Sequence, residues 1–252
     1  MMLRKWEELL PEMQAEEVRK YYAILQKKQA SLFFKRLFDI TVGLCVLLAT
    51  AIPMAVIAVL IKLDSEGPVF YRQERVTAYG KKFKIHKFRT MVNNADKIGT
   101  AVTVGGDSRI TKIGAKLRRY RLDELPQVFD LLSGNMSFVG TRPEATKYVE
   151  KYTGAMYATL LLPAGITSLA SILYKNEAEL LNEAGDADKV YVEEILPAKM
   201  YYNLKAIEQF SFLSDIKLMI MTVLAVLGKE YKGDYNPDIE IDTIYAGSKK
   251  GK

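Results

Sequence analysis

The sequence predicts an α+β protein, mostly helical, with a re-entrant membrane helix hairpin, a small β-hairpin and interfacial amphipathic helices. Three observations carry that expectation. From Leu37 to Ile61 the only charged residue is Asp39, and 25 helical residues would extend about 38 Å, enough for a hydrocarbon core of about 30 Å. GPVFYRQERV and KKFKIHKFRTM, joined around Ala78, Tyr79 and Gly80, alternate as strands do. Elsewhere, apolar residues recur at helical spacing, as Ile113, Leu117 and Tyr120 do between basic neighbours.

With 252 residues the chain can bury a sizeable core. Lys and Arg outnumber Asp and Glu by 36 to 30, an excess that suits anionic lipid, a nucleotide or a nucleic acid equally and so selects no partner. A lone cysteine, Cys45, excludes an internal disulfide, and its apolar surroundings predict burial. No Cys/His spacing suggests zinc. The one histidine, His86, lies in the alternating FKIHKF and is read as a strand residue. The first 30 residues are charged throughout, which excludes a cleavable signal peptide and predicts that the bulk stays in the cytoplasm.

In chain order, residues 1–34 form a helical extension interrupted near Pro11, suited either to a membrane or partner or to packing on its own domain. Residues 35–63 form the membrane helix. Lys35 and Arg36 precede it and Lys62 follows, so flanking charge selects no side, and Pro53 favours a kink. These features fit a hairpin with both ends on the cytoplasmic face; a plain spanning helix is the alternative. Residues 64–230 form the catalytic domain on that face. Within it, Lys81, Lys82, Lys84, Lys87 and Arg89 give the second strand a positive face suited to phosphate or to water. Asp96 to Gly106 is expected to be a mobile loop, residues 175–200 a charged helical insertion, and residues 201–228 a helix with Asp215 ahead of its apolar run. Residues 231–252 form a polar tail.

RLDELPQ, Arg121 to Gln127, carries the chemistry. It sets Asp123 and Glu124 side by side among arginines, with Pro126 limiting how far a helix continues. One carboxylate can attack phosphorus and hold the transferred group as an acyl phosphate while its neighbour holds a hard cation. The same pair also reads as a solvated acidic patch matched to Arg118, Arg119 and Arg121. In NMSFVGTRPE, Arg142 lies on an expected loop, where its planar fork suits a diphosphate.

Five blocks in order, KRLFDI, LIKLDSEGPVFYRQERV, FKIHKFRTM, DSRITKIGAKLRRYRLDELPQ and GNMSFVGTRPE, resemble the bacterial sugar transferases, the monotopic phosphoglycosyl transferases that begin glycan assembly on a polyprenyl carrier. The resemblance runs from about Lys35 to Gly228. It implies that Asp123 is a nucleophile toward the sugar-bearing phosphate of a nucleoside diphosphate sugar, most simply a UDP-sugar. It also implies that Glu124 ligates Mg²⁺ and that the phosphosugar passes from Asp123 to polyprenyl phosphate. By the same resemblance, Arg142, Lys87, Arg89, Arg109 and Asp215 are substrate-binding candidates. The implied setting is the bacterial inner membrane, catalytic domain on the cytoplasmic face, in contact with membrane lipid and not nucleic acid. A homodimer suits a membrane enzyme of this size. Two departures stand out: Asn135 and Thr141 replace the Asp and Pro of the usual GDMSxVGPRP, and LLPAGITSLA matches PGITGxxQ only loosely. The competing function is a membrane-anchored module that binds polyanions on its basic strands with a degenerate active site.

Overall fold

A computed structural model of the chain describes residues 3–95, 107–174 and 187–227. The expected loop from Asp96 to Gly106, the first part of the charged insertion and the polar tail lie outside the described residues. The described fold is mostly helical, with one antiparallel and one parallel pair of strands.

The N-terminal segment is part of the core. Two short 3₁₀ turns, Trp6–Glu8 and Pro11–Gln14, lead into α1 (Glu16–Gln26). Met13, Val18, Leu25 and Leu32 are fully buried, packed with the 3₁₀ stretch Gly154–Leu161 and with α8 (Leu196–Glu208). Of the two uses open to this segment, docking on its own domain is the one observed.

Helix α2 (Gln29–Asp64) runs unbroken through Pro53 and begins earlier than the apolar run itself. By length and composition it is able to cross a membrane. Its buried residues, Leu32, Lys35, Asp39, Gly43, Met54, Ile57 and Ile61, fall on one stripe at helical spacing, while Leu44, Leu48, Ile52 and Val56 are exposed. Cys45, expected to be buried, is exposed, because the helix seats only that stripe on protein. Both ends grip the same domain. Near the start, the Lys35 ammonium donates to the Val139 carbonyl (2.7 Å) and to Asp215 Oδ2 (2.6 Å), and Arg36 donates to the carbonyls of Leu131 and Leu132. Near the finish, Ile57 and Ile61 join Phe88, Leu117 and Val128 in a second core cluster, and Asp64 accepts from the Ile113 amide.

The expected hairpin forms as β1 (Phe70–Val76) and β2 (Lys82–Phe88), with Tyr71 opposite Lys87 and Arg75 opposite Phe83. Helices α3 (Lys112–Arg119) and α4 (Gln127–Leu132) follow, then β3 (Met136–Val139), α5 (Thr146–Val149), β4 (Ala164–Thr167), α6 (Leu169–Leu173) and α7 (Ala187–Val190). Residues 201–228, expected as one helix, divide between α8 and α9 (Phe212–Val226). Ser211 and Ser214 form a reciprocal capping box that starts a new helix there.

The parallel strands β3 and β4 meet at two glycines. A Cβ on Gly165 would collide with the Gly140 backbone, which no rotamer change relieves. Gly165→Ala is therefore expected to destabilise the fold by about 1–3 kcal/mol, read as a lowered midpoint of thermal unfolding in detergent.

Candidate active site

The carboxylate pair sits on a turn that the local sequence enforces. Thr111 caps the start of α3, its hydroxyl accepting from the Gly114 amide at 3.0 Å. Arg121 then adopts the left-handed conformation (φ 56°), which ends that helix and turns the chain into the 3₁₀ turn Leu122–Glu124. Pro126 follows at the head of α4, where its missing N–H costs nothing, so it opens a helix and does not close one, α3 having already ended at Arg119. Leu125, beside the pair, packs on the cluster that also seats α2.

Two cations converge on one oxygen of this turn. Glu124 Oε1 accepts from Lys87 Nζ and from Arg142 Nη2, each at 2.7 Å. Lys87 comes from β2, held by its buried neighbour Phe88, and Arg142 comes from the loop after β3. Burial opposes ionisation of Glu124, but Arg142 and Lys87 outweigh it and hold the carboxyl far below its ordinary value. Burial pushes the Lys87 ammonium down, the Glu124 carboxylate opposing that shift. Asp123 differs from its neighbour. Its Oδ1 is buried without a hydrogen-bond partner, and burial first, then the Glu124 charge, push its carboxyl up, with Lys87 pulling the other way. One acid is thus held ionised by its partners, while in the other desolvation outweighs the pull of its basic neighbours.

Residues 30–229 match the family model for bacterial sugar transferases. The chain belongs to the bacterial sugar transferase family. Among its relatives is the UDP-N-acetylgalactosamine-undecaprenyl-phosphate N-acetylgalactosaminephosphotransferase of Aeromonas hydrophila, 33% identical over 77% of this chain and 44% of that protein. The UDP-glucose:undecaprenyl-phosphate glucose-1-phosphate transferase of Klebsiella pneumoniae is 37% identical over 77% of this chain and 40% of that protein. A putative undecaprenyl-phosphate N-acetylgalactosaminyl 1-phosphate transferase of Bacillus subtilis is 45% identical over 52% of this chain and 73% of that protein. The chain thus spans less than half the length of the first two relatives.

In this bacterial sugar transferase the structure brings together Asp123, Glu124, Lys87 and Arg142, and it engages the other candidates elsewhere. Arg89 is buried and donates to Ser65 and to the Glu66 carbonyl, capping the C-terminus of α2. Arg109 binds Asp107 and the Ala95 carbonyl, bridging the two ends of the stretch from 96 to 106. Asp215 pairs with Lys35, and both line a cavity of about 230 Å³ beside Gly140 and Thr141, into which neither Asp123 nor Glu124 opens. His86 meets the buried Asp130 through its ring Nδ1 and its backbone amide, both at 2.8 Å, which docks α4 on β2.

Sequence reasoning passed over Arg75. Its strand register places it with Tyr71, Gln73 and Lys87 on one face of the hairpin, and its guanidinium donates to the Pro143 carbonyl beside Arg142. Counting alternate positions forward from Lys87's partner, Tyr71, would have found it.

The two acids should respond oppositely to amide substitution. Glu124→Gln strands Lys87 and Arg142 and is expected to cost about 1–3 kcal/mol at neutral pH. That cost should hold constant down to the ordinary carboxyl value of 4.5 and shrink only below it, where the unfolded chain takes up a proton that the folded carboxyl resists. Asp123→Asn should match or exceed wild-type stability at neutral pH, because the raised carboxyl weakens the fold as pH climbs above its ordinary value of 3.8. Unfolding midpoints at about pH 3 and pH 7 check both signs.

Proposed function

We propose that the chain transfers a sugar-1-phosphate from a nucleoside diphosphate sugar to polyprenyl phosphate through a phosphosugar-aspartate intermediate on Asp123. The observation that carries this reading is the partnerless, buried Asp123 oxygen beside a Glu124 already neutralised by Lys87 and Arg142. The relatives, by name, act with undecaprenyl phosphate as carrier and UDP-sugars as donors, which supports the same carrier and donor class here.

In the first displacement the Asp123 oxygen forms a bond to the sugar-bearing phosphorus. The bond from that phosphorus to the bridging oxygen breaks, and its electron pair leaves on the nucleoside monophosphate. In the second, an oxygen of polyprenyl phosphate attacks the same phosphorus and Asp123 departs as a carboxylate. Neither step needs a proton relay, which accords with His86 being committed to Asp130. Lys87 and Arg142 orient the diphosphate and offset its charge, so that an anionic oxygen can approach an anionic centre.

Asp123, Glu124, Lys87 and Arg142 sum to no net charge, so an incoming diphosphate leaves the site negative. Mg²⁺ suits that deficit, and the residues fit it. Asp123 Oδ1 has no partner, Glu124 uses only Oε1 among the described residues, and Mg²⁺ takes one or two carboxylates alongside substrate phosphates. When bound there it would supply further charge neutralisation at the diphosphate.

The membrane setting is part of the proposal. Helix α2 presents an apolar face along its length while both of its ends hold the same domain, which favours an unbroken helix seated in one leaflet with both ends on one face, here the cytoplasmic face of the inner membrane. The polyanion-binding alternative is disfavoured, because Lys87 is turned into the carboxylate pair and away from any continuous basic surface.

Purified wild type given Mg²⁺, undecaprenyl phosphate and UDP-N-acetylgalactosamine or UDP-glucose should release UMP. Asp123→Asn should lose at least about 10³-fold in rate, and full activity in that variant would remove Asp123 from the chemistry. With Cys45 replaced, single cysteines placed at Gln29 and Lys62 should react with an impermeant reagent from the same face of sealed vesicles. Labelling from opposite faces would establish a spanning helix.

A further inference from the structure

The loop that carries Arg142 is tied on three sides. Toward β4, Gly165 donates its amide to the Thr141 carbonyl (2.8 Å). Toward β1, the Val76 amide donates to the Glu144 carbonyl (3.0 Å), and Arg75 donates to the Pro143 carbonyl (3.3 Å). On the third side the Glu144 side chain turns inward, where its Oε1 accepts from the Tyr191 hydroxyl at 2.7 Å and from Lys199 Nζ at 3.4 Å. Lys199 also reaches the Tyr191 hydroxyl, at 3.2 Å. Glu144, Tyr191 and Lys199 are each 4–6% exposed. A buried ionic cluster of this kind is weak evidence for stability and is costly to leave half-paired.

The backbone is bent to make this cluster. Tyr191 and Lys199 are eight residues apart. At roughly 100° per residue, eight α-helical steps overshoot two turns by roughly 80°, which would splay the two side chains toward opposite edges of one face. The stretch Tyr191–Ile195 is instead a π turn, ahead of Pro197, whose ring cannot donate to the ladder. That wider turn absorbs one residue and brings Tyr191 and Lys199 into line. The same segment is held against α5 from outside: Lys147 pairs with Asp188, the Tyr148 hydroxyl donates to Asp188 at 2.7 Å, and the Tyr148 and Tyr191 rings lie 4.5 Å apart.

We propose that Glu144, Tyr191 and Lys199, with Arg75, are positioning residues that hold Arg142 in register with Glu124, so that the π-turned segment sets affinity for the phosphate-bearing donor. The binding needs it: Arg142 meets Glu124 through a single guanidinium nitrogen 2.7 Å away, and losing one hydrogen bond between charged groups costs about 10- to 100-fold in affinity. The inference deepens the transferase reading, since donor binding is where it acts.

The test compares wild type with Tyr191→Phe, Lys199→Met and Lys199→Arg. In Tyr191→Phe and Lys199→Met, backbone amide exchange in the peptide spanning residues 136–149 should accelerate while that of α2 stays unchanged. The KM for the turned-over UDP-sugar should rise about 10- to 100-fold, with the KM for undecaprenyl phosphate and kcat within about 3-fold. Lys199→Arg should restore most of the donor affinity. Faster exchange in an enzyme that turns over no UDP-sugar at all would uphold the positioning role and defeat the transferase reading. Unchanged exchange overturns the proposal, as does faster exchange with donor KM unaltered in an active enzyme, which would reduce the cluster to ordinary core.

Discussion

Two cations meeting on one glutamate oxygen are the contact around which this protein is arranged. Lys87 and Arg142 both address Glu124 Oε1, and that commitment leaves Oδ1 of Asp123, the adjacent residue, without a hydrogen-bond partner. Adjacent carboxylates in one turn repel, and the repulsion is resolved unequally: one is neutralised and the other carries the strain of desolvation. An acid in that condition is poorly solvated for a resting state and well prepared to form a bond to phosphorus.

Each element has a part in holding that contact. The hairpin supplies Lys87 because Phe88, next along the strand, is anchored against α2, Leu117 and Val128. The loop after β3 supplies Arg142 because Gly140 and Gly165 let two backbones approach where a side chain would force them apart. Helix α2 is bound at its start by Lys35 and Arg36 and at its finish by Ile61 and Asp64, so the apolar face it shows to its surroundings is fixed relative to the turn bearing Asp123. A carboxylate-bearing turn held against a helix with an exposed apolar face suits the proposed transfer from a water-soluble donor to a carrier in the bilayer.

Much of this was legible in the chain itself. The hairpin strands, the long apolar helix and the acidic pair are written in local pattern and in contiguous motifs, and the family match to residues 30–229 bears out the resemblance, whereas β3 and β4, four residues each, read as loop and turn. What escaped detection depends on distance or on one-sided burial. Cys45 looked buried because an apolar run was taken to face protein all round, whereas α2 seats a single stripe. The break before Ser211 escaped because helical spacing continues across it and only the paired serines mark the cap. Asp215 and Lys35 are 180 positions apart, so their pairing has no local signature. Nor has the cluster of Glu144, Tyr191 and Lys199, which exists only because a π turn rotates one side chain toward another.

The most direct measurement is the intact mass of the peptide containing Asp123 after the enzyme has met Mg²⁺ and its UDP-sugar with no lipid acceptor. A gain equal to one sugar phosphate on that peptide, lost when undecaprenyl phosphate is added and absent in Asp123→Asn, is the expected result. Stoichiometric UMP release beside an unmodified Asp123 peptide would contradict the covalent mechanism.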